Sequence, residues 1–276
     1  CDNLIKFKWP ITSEFGANVV TLVSGTALAH LATFIATPFL TRMFSMQSLG
    51  DLQIFISTVM TFGVVASLKF EMAIVLPKQD DEADKIAVLS LVSLVLFSLS
   101  FTAVLVFAGD AILHFFRAES LHPYLYFIAL GVFLFGLWQA LQYILVRRKK
   151  FGVLARNKIA QVVVTNILAV GLGLFWQKTI VLLIAQLLGY GVAAVLILPH
   201  WPLRTRIGLK ELARLAWHYK KFPTVNTAMV FLNTLSLQLP VFMLSKYFGT
   251  EVVALYSMAN RIVNIPCRVC SLYNFT

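Results

Sequence analysis

The chain has 276 residues, of which 59% are hydrophobic and only 13% charged. A water-soluble domain of this length needs about a quarter of its residues charged, so that class is excluded. The net charge of +11 does not point to nucleic acid either, because Lys and Arg lie in short stretches between long apolar blocks.

Eight apolar segments follow one another, each near the roughly 20 residues that a helix needs to cross a bilayer. They are Ala17–Leu40, Leu52–Leu76, Ile86–Ala108, Tyr124–Val146, Ile159–Trp176, Thr179–Leu198, Thr224–Phe248 and Val252 to Val269. Backbone groups cannot stay unpaired in hydrocarbon, so the blocks read as helices. The expected fold class is all-α, a polytopic membrane protein with about eight transmembrane helices. Mean hydropathy, +0.82, agrees.

The first segment is too long for a cleavable signal peptide and is expected to stay as a helix. It carries His30 at mid-depth and Pro38, which should kink or end it. The second is read as one continuous helix, with Lys69 snorkelling near its end and Glu71 pairing with a neighbour. Lys78–Lys85, KQDDEADK, reads as a solvated charged turn, with no metal assigned to its acids.

Segments four to seven carry polar side chains that need partners or a wet cavity. Gln139 and Gln142 lie on the fourth, Gln161 and Asn166 on the fifth, Gln186 on the sixth, and Asn226, Asn233 and Gln238 on the seventh. Gln139, Gln142, Asn166, Asn233 and Gln238 are the cavity-lining candidates. Gln177–Lys178 forms a tight hairpin between segments five and six, and Pro240 should interrupt the seventh. In the eighth, Arg261 lies deep enough to require an aqueous cavity or an anionic partner, and its planar fork suits diphosphate.

Loop charges set an orientation. With a cytoplasmic N-terminus, seventeen basic residues fall on inner loops and four (Arg42, Arg117, Lys178 and Lys246) on outer loops. Residues 1–198 then form an N-terminal lobe of six helices, 199–223 a cytoplasmic linker, and 224–276 the start of a second lobe. Within the linker, Leu209, Leu212, Leu215, Tyr219 and Phe222 recur at helical spacing among basic residues, so an amphipathic helix lying against anionic headgroups is expected.

No soluble-enzyme signature is present: no Gly-rich phosphate loop, no G-x-S-x-G and no H-E-x-x-H. No catalytic residue, metal or cofactor is assigned, and the chain does not read as an enzyme. Cys267 and Cys270 form a lone C-x-x-C without the second ligand pair that zinc requires.

Four stretches carry a family likeness. LVSGTALAHLATFIATPFLTRMFSMQSLGDLQIFIS (Leu22–Ser57) resembles the opening of Wzx-type polysaccharide-biosynthesis flippases, with a first helix ending in P-x-L-T-R. ASLKFEMAIVLPKQDDEA, GLWQALQYILVRRKKF and LQLPVFMLSKYFGTEVVALYSMANRIVNIP are similar to three further stretches. The likeness covers about Ser13 to Pro266 and is to the multidrug/oligosaccharidyl-lipid/polysaccharide exporter superfamily.

The resemblance implies two six-helix lobes around a central cavity and alternating access. It implies transport of undecaprenyl-diphosphate-linked oligosaccharide, for O-antigen, capsule or exopolysaccharide, across the bacterial inner membrane. The implied partners are that lipid-linked oligosaccharide and membrane lipids, with a polysaccharide polymerase and a chain-length regulator working alongside. Arg261 matches a diphosphate-meeting arginine of the related lipid II flippases, and Lys69 is a second candidate contact. The sequence lacks arginines within the first segment, as the oligosaccharide branch does. CRVCSLYNFT, after Pro266, departs from the family pattern, so a truncation or frame change near Cys267 is expected.

Two rival readings have their own signatures. A drug/cation antiporter of the same superfamily should place acids in its cavity, which segments one and three to six lack away from their ends. A membrane-embedded O-antigen ligase or polymerase should carry a large outer loop, and the outer loops here are all short.

Overall fold

The computed structural model describes the backbone of residues 14–116, 118–201 and 208–273, and side chains within 25–261. The expectations for Lys6, Lys8, Arg117, Arg204, Arg206, the His30 side chain, the Cys267–Cys270 pair and the change of pattern after Pro266 lie outside the described residues.

Ten α-helices follow in order, with no strand among the described residues: α1 (Glu14–Met43), α2 (Met46–Gly63), α3 (Phe70–Ala73), α4 (Asp80–Phe115), α5 (Leu125–Arg147), α6 (Phe151–Gly173), α7 (Thr179–Ile197), α8 (Leu209–His218), α9 (Thr227–Phe248) and α10 (Thr250–Tyr273). Eight of them, all except α3 and α8, match the eight apolar segments in order. Five of these, α4, α5, α6, α7 and α9, are long and apolar enough among the described residues to cross a membrane. The protein is an all-α polytopic membrane protein.

The helices run through both prolines instead of stopping at them: Pro38 lies inside α1 and Pro240 inside α9. A proline removes one ladder bond, to the carbonyl four residues back, a loss that membrane helices tolerate. Thr37 Oγ1 donates to the Thr33 carbonyl at 2.8 Å and Thr41 Oγ1 to the Pro38 carbonyl at 3.0 Å.

The second segment is not one helix. Ser45 caps α2, its Oγ accepting from the Ser48 amide at 3.2 Å. The helix then stops at Gly63, and the chain turns through Leu68 (φ 51°) and Lys69 (φ 57°) before the single turn of α3. Two non-glycine residues in the left-handed region cost about 1–2 kcal/mol each.

The acidic stretch also differs from expectation. Asp80, Asp81 and Glu82 form the first turn of α4, where carboxylates favour the positive end of the helix dipole. The helix therefore starts six residues before the predicted segment. Arg147 ties this start to the end of α5: its Nη1 donates to the carbonyls of Ile74 (2.9 Å) and Pro77 (2.8 Å), and its Nη2 to Asp80 Oδ1 (2.8 Å).

α2 is the hub of the bundle. It packs against α5, α7, α9 and α10, with Phe55 and Val59 fully buried. α1 lies on α6, and α6 on α7, forming a second row. Because α9 and α10 both rest on α2, the helices after α8 are seated directly against a helix near the start of the chain.

α8 falls where an amphipathic helix is expected. Part of its apolar side meets protein: Leu215 is buried with Phe70 and Leu89, flanked by Leu212 and Tyr219. Lys85 Nζ pairs with Glu211 at 2.9 Å, and Tyr219 donates its hydroxyl to Glu82 at 3.0 Å. Burial first, and then the Glu82 carboxylate, holds that hydroxyl above the ordinary tyrosine range, so it remains a donor. Arg214 and Trp217 face outward.

Candidate functional site

In a bundle with so little charge, the buried polar groups mark the places with chemistry to explain. Four stand out.

The first lies in the break after α2. Lys69 Nζ meets Glu71 Oε1 at 3.2 Å, with both side chains at most 3% exposed, and Ser67 Oγ donates to the other Glu71 oxygen. In a continuous helix, residues two apart point away from each other. The left-handed turn at Leu68 and Lys69 is what brings the pair together. Lys69 therefore does not snorkel: it is enclosed and neutralised within its own segment. An enclosed pair of this kind resists loss of either partner, since one ion alone would be left uncompensated.

The second is Asp51 on α2, 1% exposed. Ser120 Oγ donates to its Oδ1 at 2.6 Å, and Thr179 Oγ1 lies 3.4 Å from its Oδ2. Thr179 Oγ1 is also 3.0 Å from Ser48 Oγ, which lies 3.0 Å from Ser45 Oγ. Nothing in the local sequence marks Asp51, whose partners lie far away along the chain.

The third is Asn157 on α6, buried between two helices. It accepts from Trp138 Nε1 at 2.7 Å and donates to the Ala193 carbonyl at 2.7 Å. Each side of the amide has a partner, so Asn157 ties α5, α6 and α7 together.

The fourth is Arg261 on α10. It is half-buried, lies about 16 Å along the helix from Thr250, and has no acidic partner among the described residues. Of the two cations singled out from the sequence, Arg261 is the one not already neutralised.

The cavity candidates separate by surroundings. Gln238 accepts from the fully buried Ser57 at 2.8 Å and so joins α9 to α2. Asn166 donates to the Val162 carbonyl one turn back, at 2.9 Å. Gln139 and Gln142 are half-buried on α5, and Asn233 is exposed on α9. The structure does not gather these five around one space. An apolar cavity of about 420 Å³ does occur, between α2, α4, α5 and α9. Phe62, Phe101, Leu105, Phe116 and Phe242 line it, with Thr58, Thr61 and Ser100 as its polar atoms, and none of the five candidates reaches it.

These features describe a membrane bundle whose buried polar groups mostly satisfy one another, with Arg261, partway along α10, as a half-buried arginine without an acidic partner among the described residues. Comparison with curated proteins and with solved structures gives no match. A family model does match: that of the polysaccharide biosynthesis proteins, over residues 18–271. That span covers nearly every helix described above, and the chain belongs to the polysaccharide biosynthesis protein family.

Proposed function

We propose that the protein moves undecaprenyl-diphosphate-linked oligosaccharide repeat units across the bacterial inner membrane, by alternating access and without chemical change to the substrate. Family membership supports a role in making or exporting polysaccharide. The observation that carries the finer reading is Arg261: a half-buried guanidinium in an apolar bundle, with no acidic partner among the described residues. A cation at such depth is costly unless an anion meets it, and diphosphate accepts its bidentate contacts. Lys69 becomes a second contact only if its pair with Glu71 opens. The positive-inside count supports a cytoplasmic N-terminus, which puts the α2–α4 and α5–α6 turns inside and the α1–α2 and α6–α7 turns on the periplasmic side.

A cation antiporter would use a buried acid. Glu71 is buried but neutralised by Lys69, and Asp51, buried among hydroxyls, does not line the cavity described above. The flippase reading is therefore preferred.

The test is surface polysaccharide in cells carrying the full-length gene. Arg261→Ala should abolish it and Arg261→Lys should restore part, since a point charge keeps attraction but loses the fork. Wild-type polysaccharide in Arg261→Ala, at equal protein levels, would sink the assignment.

A further inference from the structure

Asp51 is the only ionisable residue of α2, and it is enclosed at 1% exposure. No basic side chain among the described residues is paired with it. The charged groups on the elements around it all turn to solvent: Glu119 and His122 on the turn Glu119–Tyr124, Lys178 before α7, and Glu251 on α10. Of the other charges on neighbouring helices, Arg147 on α5 and Lys246 on α9 are engaged by Asp80 and by the Phe115 ring, and Arg261 lies about 16 Å along α10 from Thr250, the residue that meets Gly50. An ionised carboxylate enclosed with nothing but hydroxyls is poorly compensated.

The hydroxyls around it form a path. Exposed Ser45 leads to buried Ser48 (3.0 Å), Ser48 to Thr179 (3.0 Å), and Thr179 to Asp51 Oδ2 (3.4 Å), while Ser120 holds Oδ1 at 2.6 Å. Each hydroxyl has one hydrogen and can also accept. With every donor pointing inward, Thr179 donates to an ionised Asp51. With every donor reversed, a protonated Asp51 donates to Thr179 and Ser45 donates to water. Reversal moves one net proton between solvent and the carboxyl, each O–H that breaks being replaced by one that forms.

We propose that Asp51 is a proton-binding site, loaded from the periplasmic end through Ser45, Ser48 and Thr179. The site joins three elements (α2, the turn Glu119–Tyr124 and the start of α7), and α2 is the helix on which α9 and α10 rest. A role for this proton in driving transport rests on the flippase reading; the site itself does not.

Infrared difference spectroscopy on the chain in lipid bilayers, between acidic and neutral pH and without substrate, tests it. The carbonyl band of a buried protonated carboxylic acid should appear on acidification. It should vanish in Asp51→Asn, shift in frequency in Ser120→Ala, and persist in Glu71→Gln. After a pH jump it should rise several-fold more slowly in Ser48→Ala. Absence of a titrating band in the wild type, or its survival in Asp51→Asn, overturns the proposal. So does its displacement by sodium at fixed pH, which would make the ligand a metal cation. Should Asp51→Asn fail to fold, an unshifted band in Ser120→Ala is equally contrary. Because no substrate is present, a negative result here leaves the Arg261 test standing, and the reverse also holds.

Discussion

Replacing Glu71 with alanine should destabilise the protein by about 3–5 kcal/mol, the cost of leaving a buried charge without its partner. Lys69 is enclosed and meets Glu71 at 3.2 Å, so no rotation of its side chain within the present packing returns it to water. The double variant Lys69→Met/Glu71→Leu should recover most of the loss, because apolar residues of similar volume need no partner. The left-handed turn would remain in the double variant, so the comparison isolates the ion pair from backbone strain. Unfolding in a bilayer mimetic measures both. Glu71→Ala within about 0.5 kcal/mol of wild type would mean that the pair is incidental.

A second large effect is expected at Gly50. A Cβ there would run into the Thr250 carbonyl, a backbone atom that cannot rotate aside. Small residues allow helix backbones to approach this closely in membranes, and Gly50 is where α10 comes against α2. Gly50→Val should therefore cost about 3 kcal/mol or more and loosen α10 from α2. Gly171→Ala is the matched control, since nothing lies within 4 Å of its Cβ position. It should be neutral or slightly stabilising. Proteolysis near the α9–α10 junction, alongside unfolding, would detect the loosening. Equal behaviour of the two variants would show that this contact does not hold α10 in place.

The helices themselves were legible from apolar length, and the hairpin at Gln177–Lys178 from its brevity. The amphipathic spacing in the linker was legible too, though spacing cannot say whether protein or lipid covers the apolar side. The break after α2 was not legible, because no Gly or Pro occupies residues 64–69 to announce it. It brings together Lys69 and Glu71, whose separation of two would set them apart on a regular helix. The early start of α4 was present in the run Asp80–Glu82, since acids favour a helix N-terminus as much as a solvated turn.

Polar residues were harder to place than helices. Asp51 carries no local signal, because its partners lie 69 and 128 positions away. Gln238 and Asn166 could not be told apart by sequence, yet one bonds across helices and the other to its own helix. Lys69 and Arg261 were both candidate anion contacts. Burial and pairing separate them: the first is neutralised by Glu71, whereas the second has no acidic partner among the described residues.

The most direct test of the proposed transport uses the full-length protein in vesicles loaded on one leaflet with a labelled undecaprenyl-diphosphate oligosaccharide. Exposure of the sugar on the opposite leaflet is then followed with a membrane-impermeant sugar-cleaving enzyme. Exposure should rise with the amount of protein and fall to the protein-free rate in Arg261→Ala. A rate equal to that of empty vesicles for the wild type would contradict the proposed function.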